Sequence, residues 1–218
     1  MTGFAARLRK ATMVEHRDAE TRSFIARLMG GEVSRAGFAA LTSQYLFVYR
    51  ELEAAAIAMA DSPAAAVFAD QALTRVPALE ADLAHLYGPD WESTVTPVDA
   101  TRRYAERLRE FCYTSPAHFI AHHYVRYLGD LSGGQMVGRK VSGIYRLDGP
   151  GTAFYHFDQI VDPKAYKTAY RERLDALELP ADQLDVLVAE AQLAFQLNAA
   201  VFQDLGSAFP EDLAAAAA

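Results

Sequence analysis

The chain has 218 residues, enough for one domain or two small ones, and its 51% hydrophobic and 22% charged residues fit a folded globular protein. A net charge of -7 argues against a general nucleic-acid binder, and a single cysteine, Cys112, excludes an internal disulfide or a cysteine-based zinc site. The first residues lack the apolar core of a secretory signal, and no run approaches ~20 uninterrupted apolar residues, so a soluble cytoplasmic protein without a membrane span is expected.

Nine prolines leave long proline-free runs rich in Ala, Leu, Glu and Arg, which favour helix. The first helix is predicted over about 3–29, stopped by Gly30-Gly31. Ser34 is the N-cap of a second, reaching about Asp61. Shorter helices are predicted near 65–75, 78–87 and 98–112. Ser115-Pro116 opens a long one to about 145, the segment 148–160 is a loop, Asp162-Pro163 starts a helix over 163–178, and the last helix spans 181–206. No run alternates with period two, so the fold class is all-α.

The run HHYVRYLGDLSGGQMVGRKVSG, residues 122–143, holds Gly129, Gly133, Gly134, Gly138 and Gly143 inside an otherwise helical stretch. Each interior glycine costs a helix about 1 kcal/mol, so five of them need a compensating reason. Gly129 and Gly133 share a face, and a flat ligand could lie against it; close helix packing through small residues is the plainer explanation of glycine alone.

In the first helix, Arg9, Thr12, His16 and Glu20 form one stripe, with His16 able to bind a metal and Glu20 able to take its second N–H, though on these residues alone an ordinary surface histidine with charged neighbours is the plainer reading. Arg9 lies seven residues before His16, about 10 Å along a straight helix. Lys167 and Arg171 sit four apart and could grip carboxylates; a solvated charged face is the plainer alternative. Phe195, Asn198 and Phe202 share one face, as do Tyr45, Leu46, Tyr49 and Glu53.

With these residues together, the chain resembles the heme oxygenase family. YVRYLGDLSGGQ, Tyr124 to Gln135, is similar to the family's glycine-rich segment, and KATMVEHRDAE to its histidine segment. FYHFDQI, YKTAYRERL and AFQLNAAVFQDL resemble its later stretches in the same order. The resemblance covers about 3–206, which implies a single helical domain over 1–206, a short tail over 207–218, and heme held between the first helix and the glycine-rich one. It implies His16 as iron ligand with Glu20 near its other nitrogen, and Gly129 and Gly133 lining the opposite, distal face. By the same resemblance Asp130 anchors distal water, Tyr49, Tyr104, Arg126 and Asn198 form a hydrogen-bond network, and Phe195 lines the heme site. Arg9, Tyr124, Lys167 and Arg171 would contact the propionates. Mammalian members carry lysine at position 9, and their C-terminal membrane anchor has no counterpart in the short 207–218 segment.

The implied reaction converts heme, O2 and external electrons into biliverdin, of which the α isomer is expected, with carbon monoxide and ferrous iron. Electrons would come from a separate reductase or ferredoxin, because Gly149-Pro150-Gly151 is no dinucleotide fingerprint. A non-catalytic heme carrier or sensor would need His16 and the basic residues but not Asp130 or the bare glycines. A helical bundle for a different small molecule would need neither His16 nor the Lys167/Arg171 pair.

Overall fold

The computed structural model describes residues 3–21, 23–147 and 149–210, without the side chain of Glu20. No strand occurs among them; the chain is a bundle of helices. The amino-terminal stretch is α1 (Phe4–Ala11), α2 (Met13–Glu20) and α3 (Ser23–Gly30) rather than one helix. Thr12 explains the first break. Its hydroxyl donates to the carbonyls of Leu8 (3.0 Å) and Arg9 (3.4 Å), a back-bond that bends helices. Thr21 makes the same bonds to Arg17 and Asp18 at the end of α2. Arg9 and His16 therefore stand on two helices that meet at a bend, and a straight-axis distance between them does not apply.

Gly31, at φ +78°, ends α3 where a side chain would be strained, and the N–H of Glu32 closes onto the carbonyl of Arg27 at 2.9 Å. The Ser34 hydroxyl accepts from the N–H of Gly37 and caps α4 (Arg35–Ala58) as expected. The predicted helix near 65–75 is instead a short α5 (Pro63–Ala66) and a 3-10 turn at Gln71–Leu73, because the Asp70 carboxylate captures the N–H of Ala72 and starts a separate turn. Then follow α6 (Val76–Tyr87), the short α7 (Trp91–Thr94) and α8 (Asp99–Arg107), which runs into a π-helical turn at Leu108–Cys112. Pro116 to Tyr145 is one rod made of α9 (Pro116–His123), two π-helical turns (Tyr124–Leu128 and Asp130–Gly134) and α10 (Gln135–Tyr145). Asp162 caps α11 (Pro163–Asp175) through the N–H groups of Lys164 and Ala165, both 2.9 Å.

The last helix, α12 (Ala181–Ala208), is long and apolar enough to cross a membrane, which the absence of an unbroken apolar run did not suggest. Here it packs against α8, α9, α2 and α3 and buries Leu187, Ala191, Ala194, Val201 and Leu205. Residues 211–218, most of the expected tail, lie outside the described residues.

Candidate active site

The two π-helical turns each insert one extra residue into the rod, the kind of local distortion that re-aims side chains at functional sites. The five glycines of this rod do different work. A Cβ built on Gly138 would come 2.5 Å from the Cβ of Tyr155, so this glycine is there for close packing. A Cβ on Gly129, Gly133 or Gly143 would meet no atom within 4 Å. Gly129 precedes and Gly133 lies within the second π-helical turn, and both give up helix stability without a protein neighbour to justify it and leave bare backbone facing open space.

On α2, His16 is exposed, and its ring stands edge-on to Phe195, with centroids 5.4 Å apart. Helix α12 links α2 to the glycine-bearing rod. Gln192 donates to the carbonyl of Ala11 (2.9 Å) at the Thr12 bend; one turn on, Phe195 meets His16; one turn further, Asn198 accepts from Arg126 (2.7 Å) on the glycine-bearing rod. Phe202 continues this stripe into a cavity of about 650 Å³ that is also lined by Asp18, Thr21, Ser23, Gln203, Gly206 and Ser207. Glu20 closes α2, but its side chain is outside those described.

The rod also carries a buried hydrogen-bonded chain. The hydroxyl of Tyr49 donates to the carboxylate of Asp130, Arg126 Nε donates to that hydroxyl at 3.3 Å, and its Nη1 reaches Asn198. The Arg126 guanidinium also lies over the rings of Tyr45 (4.7 Å) and Tyr49 (5.0 Å). Burial pushes the Asp130 carboxyl above its ordinary pKa, while Arg126 and the Tyr49 hydroxyl pull it back. Burial opposes the charge on Arg126, but Tyr49 and Asp130 outweigh it and hold the guanidinium charged. Tyr104 stands beside this chain; its hydroxyl meets Nδ1 of His122 at 3.3 Å.

The charged residues gather beside this rod. Burial raises the Tyr124 hydroxyl pKa, and Thr12, Arg171 and Arg9 around it lower it, so the end of α1, the first π-helical turn and α11 come together there. Lys167 Nζ donates to the carbonyl of Leu131 (3.0 Å) and to the Ser132 hydroxyl (3.2 Å), inside the second π-helical turn. The cation on α11 thus reaches the glycine-bearing rod directly.

Sequence reasoning missed a second buried cluster. His122 Nε2 and the carboxylate of Glu190 are 2.8 Å apart, and Arg107 grips the same carboxylate through two hydrogen bonds of 3.0 and 2.7 Å. Burial would raise the Glu190 pKa, but His122 and Arg107 bring it down to about 2; burial keeps His122 below its ordinary value. The available signal was a lone glutamate in the apolar run VLVAEAQLAF. Arg75 was also missed and had no local signal.

Comparison with known proteins agrees with this geometry. The family model for heme oxygenase matches residues 2–204. A heme oxygenase of Porphyra purpurea is 38% identical over 95% of this chain and 88% of its own length. One of Rhodella violacea is 38% identical over 95% and 89%. The crystal structure of heme oxygenase-1 from the cyanobacterium Synechocystis, in complex with heme, superposes with a TM-score of 0.90 at 33% identity, over 95% of this chain and 94% of that one.

Proposed function

The chain belongs to the heme oxygenase family of oxidoreductases, and on that premise we propose that it seats heme between α2 and the Gly129/Gly133 face and opens the ring to biliverdin, carbon monoxide and ferrous iron. The observation that carries this reading is the pair of glycines with no neighbour within 4 Å on a rod that α12 ties to α2, Phe195 meeting His16 and Asn198 meeting Arg126. A non-catalytic carrier has no use for bare distal backbone above a buried Asp130–Tyr49–Arg126 chain.

Heme supplies both the iron at which oxygen is activated and the carbon skeleton that is cut, so the protein contributes orientation and electrostatics. His16 would hold the iron through its imidazole, and Gly129 and Gly133 would face the ring from the rod. Gly129 and Gly133 let the rod approach where any side chain would intrude. Asp130, with burial raising and Arg126 restraining its pKa, holds a proton or an ordered water at the distal side and releases it in step with reduction. Arg9, Tyr124, Lys167 and Arg171 would hold the two propionates and so seat the ring, with the α isomer as the expected product. Asn198 keeps Arg126 in place, Tyr104 stands beside them on His122, and Phe195 packs beside His16.

The electron donor is a separate reductase or ferredoxin, and the enzyme works in the cytoplasm with α12 docked in the bundle rather than in a bilayer. The test is titration with hemin followed by aerobic turnover with a reductant and pigment analysis. Biliverdin and carbon monoxide are expected; a stable heme complex with no pigment would replace this reading with the carrier. His16→Ala is expected to bind heme with an altered spectrum and to lose turnover.

A further inference from the structure

Behind the Tyr49–Asp130 pair is a second buried guanidinium. Arg75 is 7% exposed, yet its hydrogen bonds go to backbone carbonyls: Nε to Leu73 (3.0 Å), and Nη1 to Phe154 (3.2 Å) and His156. Its plane lies 4.0 Å over the Phe157 ring. Carbonyls satisfy the donors without neutralising the charge, and a buried charge held this way is costly to keep. A second carboxylate beside it, Glu53, is turned to the backbone N–H groups of Arg75 (2.5 Å) and Val76 (3.1 Å).

Phe154 is gripped at both of its peptide groups. Its carbonyl accepts from Arg75, and its N–H donates to Asp82 at 2.8 Å, which also takes the N–H groups of Gly151 and Ala153. Its ring stands edge-on to Tyr49 at 5.4 Å and tilts against Tyr45 at 5.2 Å. We propose that Arg75 is a positioning residue for the distal pair: it clamps Phe154 against Tyr49 and supplies a second buried positive charge to the Asp130 carboxylate. This inference rests on the reading of Asp130 as the proton-holding group.

The groups that act electrostatically with Asp130 come from every side. Tyr45 and Tyr49 act from α4, Tyr104 from α8, Arg126 and Tyr127 from its own rod, Tyr155 from the 3-10 turn at Ala153–Tyr155, and Arg75 from the start of α6. Arg126 and Arg75 are the two cations in this set. Arg126 is hydrogen-bonded to Tyr49 and Asn198, whereas Arg75 is held by backbone carbonyls and has Asp130 and Glu53 as the carboxylates that act on its charge.

The test is an infrared pH titration of the substrate-free protein, in which the Asp130 carboxyl band is identified by its loss in Asp130→Asn. Neutral Arg75→Gln is expected to raise the Asp130 ionisation midpoint by about one pH unit, tenfold in proton affinity. Arg75→Met is expected to do the same, and Arg75→Lys to restore most of the shift. Asp82→Asn loosens the same segment but removes a negative charge, so it is expected not to raise the midpoint. An unchanged midpoint in folded Arg75→Gln, or an equal rise in Asp82→Asn, overturns the proposal. So does failure of both neutral variants to fold while Arg75→Lys folds, which makes Arg75 a plain anchor. If the midpoint shifts as expected but Asp130→Ala still makes biliverdin, the clamp stands and the catalytic reading of Asp130 fails.

Discussion

The hydroxyl of Tyr49, near the middle of α4, donates to the carboxylate of Asp130, which lies in the second π-helical turn of the glycine-bearing rod. A hydrogen bond to an ionised carboxylate favours the charged form, so removing it lets the proton persist to higher pH. Tyr49→Phe is expected to move the acid limb of biliverdin turnover upward and to cost about 1 kcal/mol of stability. Turnover across pH at saturating heme, with thermal melting alongside, checks both. A profile identical to that of the parent protein would show that this bond does not tune Asp130.

The glycines separate packing from function. Gly138→Ala drives a methyl into Tyr155, 2.5 Å away, and is expected to lower the melting temperature markedly. Gly129→Ala meets nothing within 4 Å and improves helix propensity by about 1 kcal/mol. The substrate-free Gly129→Ala protein is therefore expected to be as stable as the parent or more so, while heme affinity and turnover fall. Normal turnover in Gly129→Ala would mean that the bare face is not the heme face.

Much of the helical layout was legible in the sequence, because proline, glycine and capping residues act locally. Ser34, Asp162-Pro163 and Gly30-Gly31 stand where expected. The breaks at Thr12 and Thr21 were not legible, since a threonine back-bond leaves the apolar pattern intact. Family resemblance put Tyr49 in a hydrogen-bond network and Asp130 at distal water, but that the two pair was not legible, as they are 81 positions apart. Arg75 and Glu190 stayed hidden because their partners come from distant segments; a lone charge says nothing of the carbonyls or histidine it will meet.

Glu190 makes stability depend on pH. Its folded pKa is depressed to about 2, below the ordinary carboxylate value, because Arg107 and His122 bind the charged form against the cost of burial. The stabilisation is therefore present above the unfolded pKa and is lost as pH falls toward the folded value. At about 1.4 kcal/mol per pH unit this amounts to a few kcal/mol. Urea melts from neutral pH down to acid are expected to show steep loss in the parent protein. Glu190→Gln should be less stable at neutral pH, with a shallower slope below it. Equal slopes would remove Glu190 as the source.

Lys167 and Arg171 are expected to fix ring rotation from one edge of the heme. Replacing both with neutral residues should weaken heme binding and give a mixture of biliverdin isomers, read by chromatography. The parent protein should give the α isomer. A single unchanged isomer from the double variant would show that rotation is set elsewhere, and a parent product of another isomer would contradict the seating.

The most direct test of the account is how oxidation partitions in Asp130→Ala. Asp130 is buried in a chain formed with Tyr49, Arg126 and Asn198, and the account holds that this chain steers reduced oxygen onto the ring. The heme-loaded variant and parent are each given peroxide, and ring-opened pigment is measured against oxidation of a peroxidase dye. The parent should open its heme with little dye oxidation, and Asp130→Ala should bind heme as tightly, form little biliverdin and oxidise the dye. Unchanged ring opening in Asp130→Ala would contradict the account.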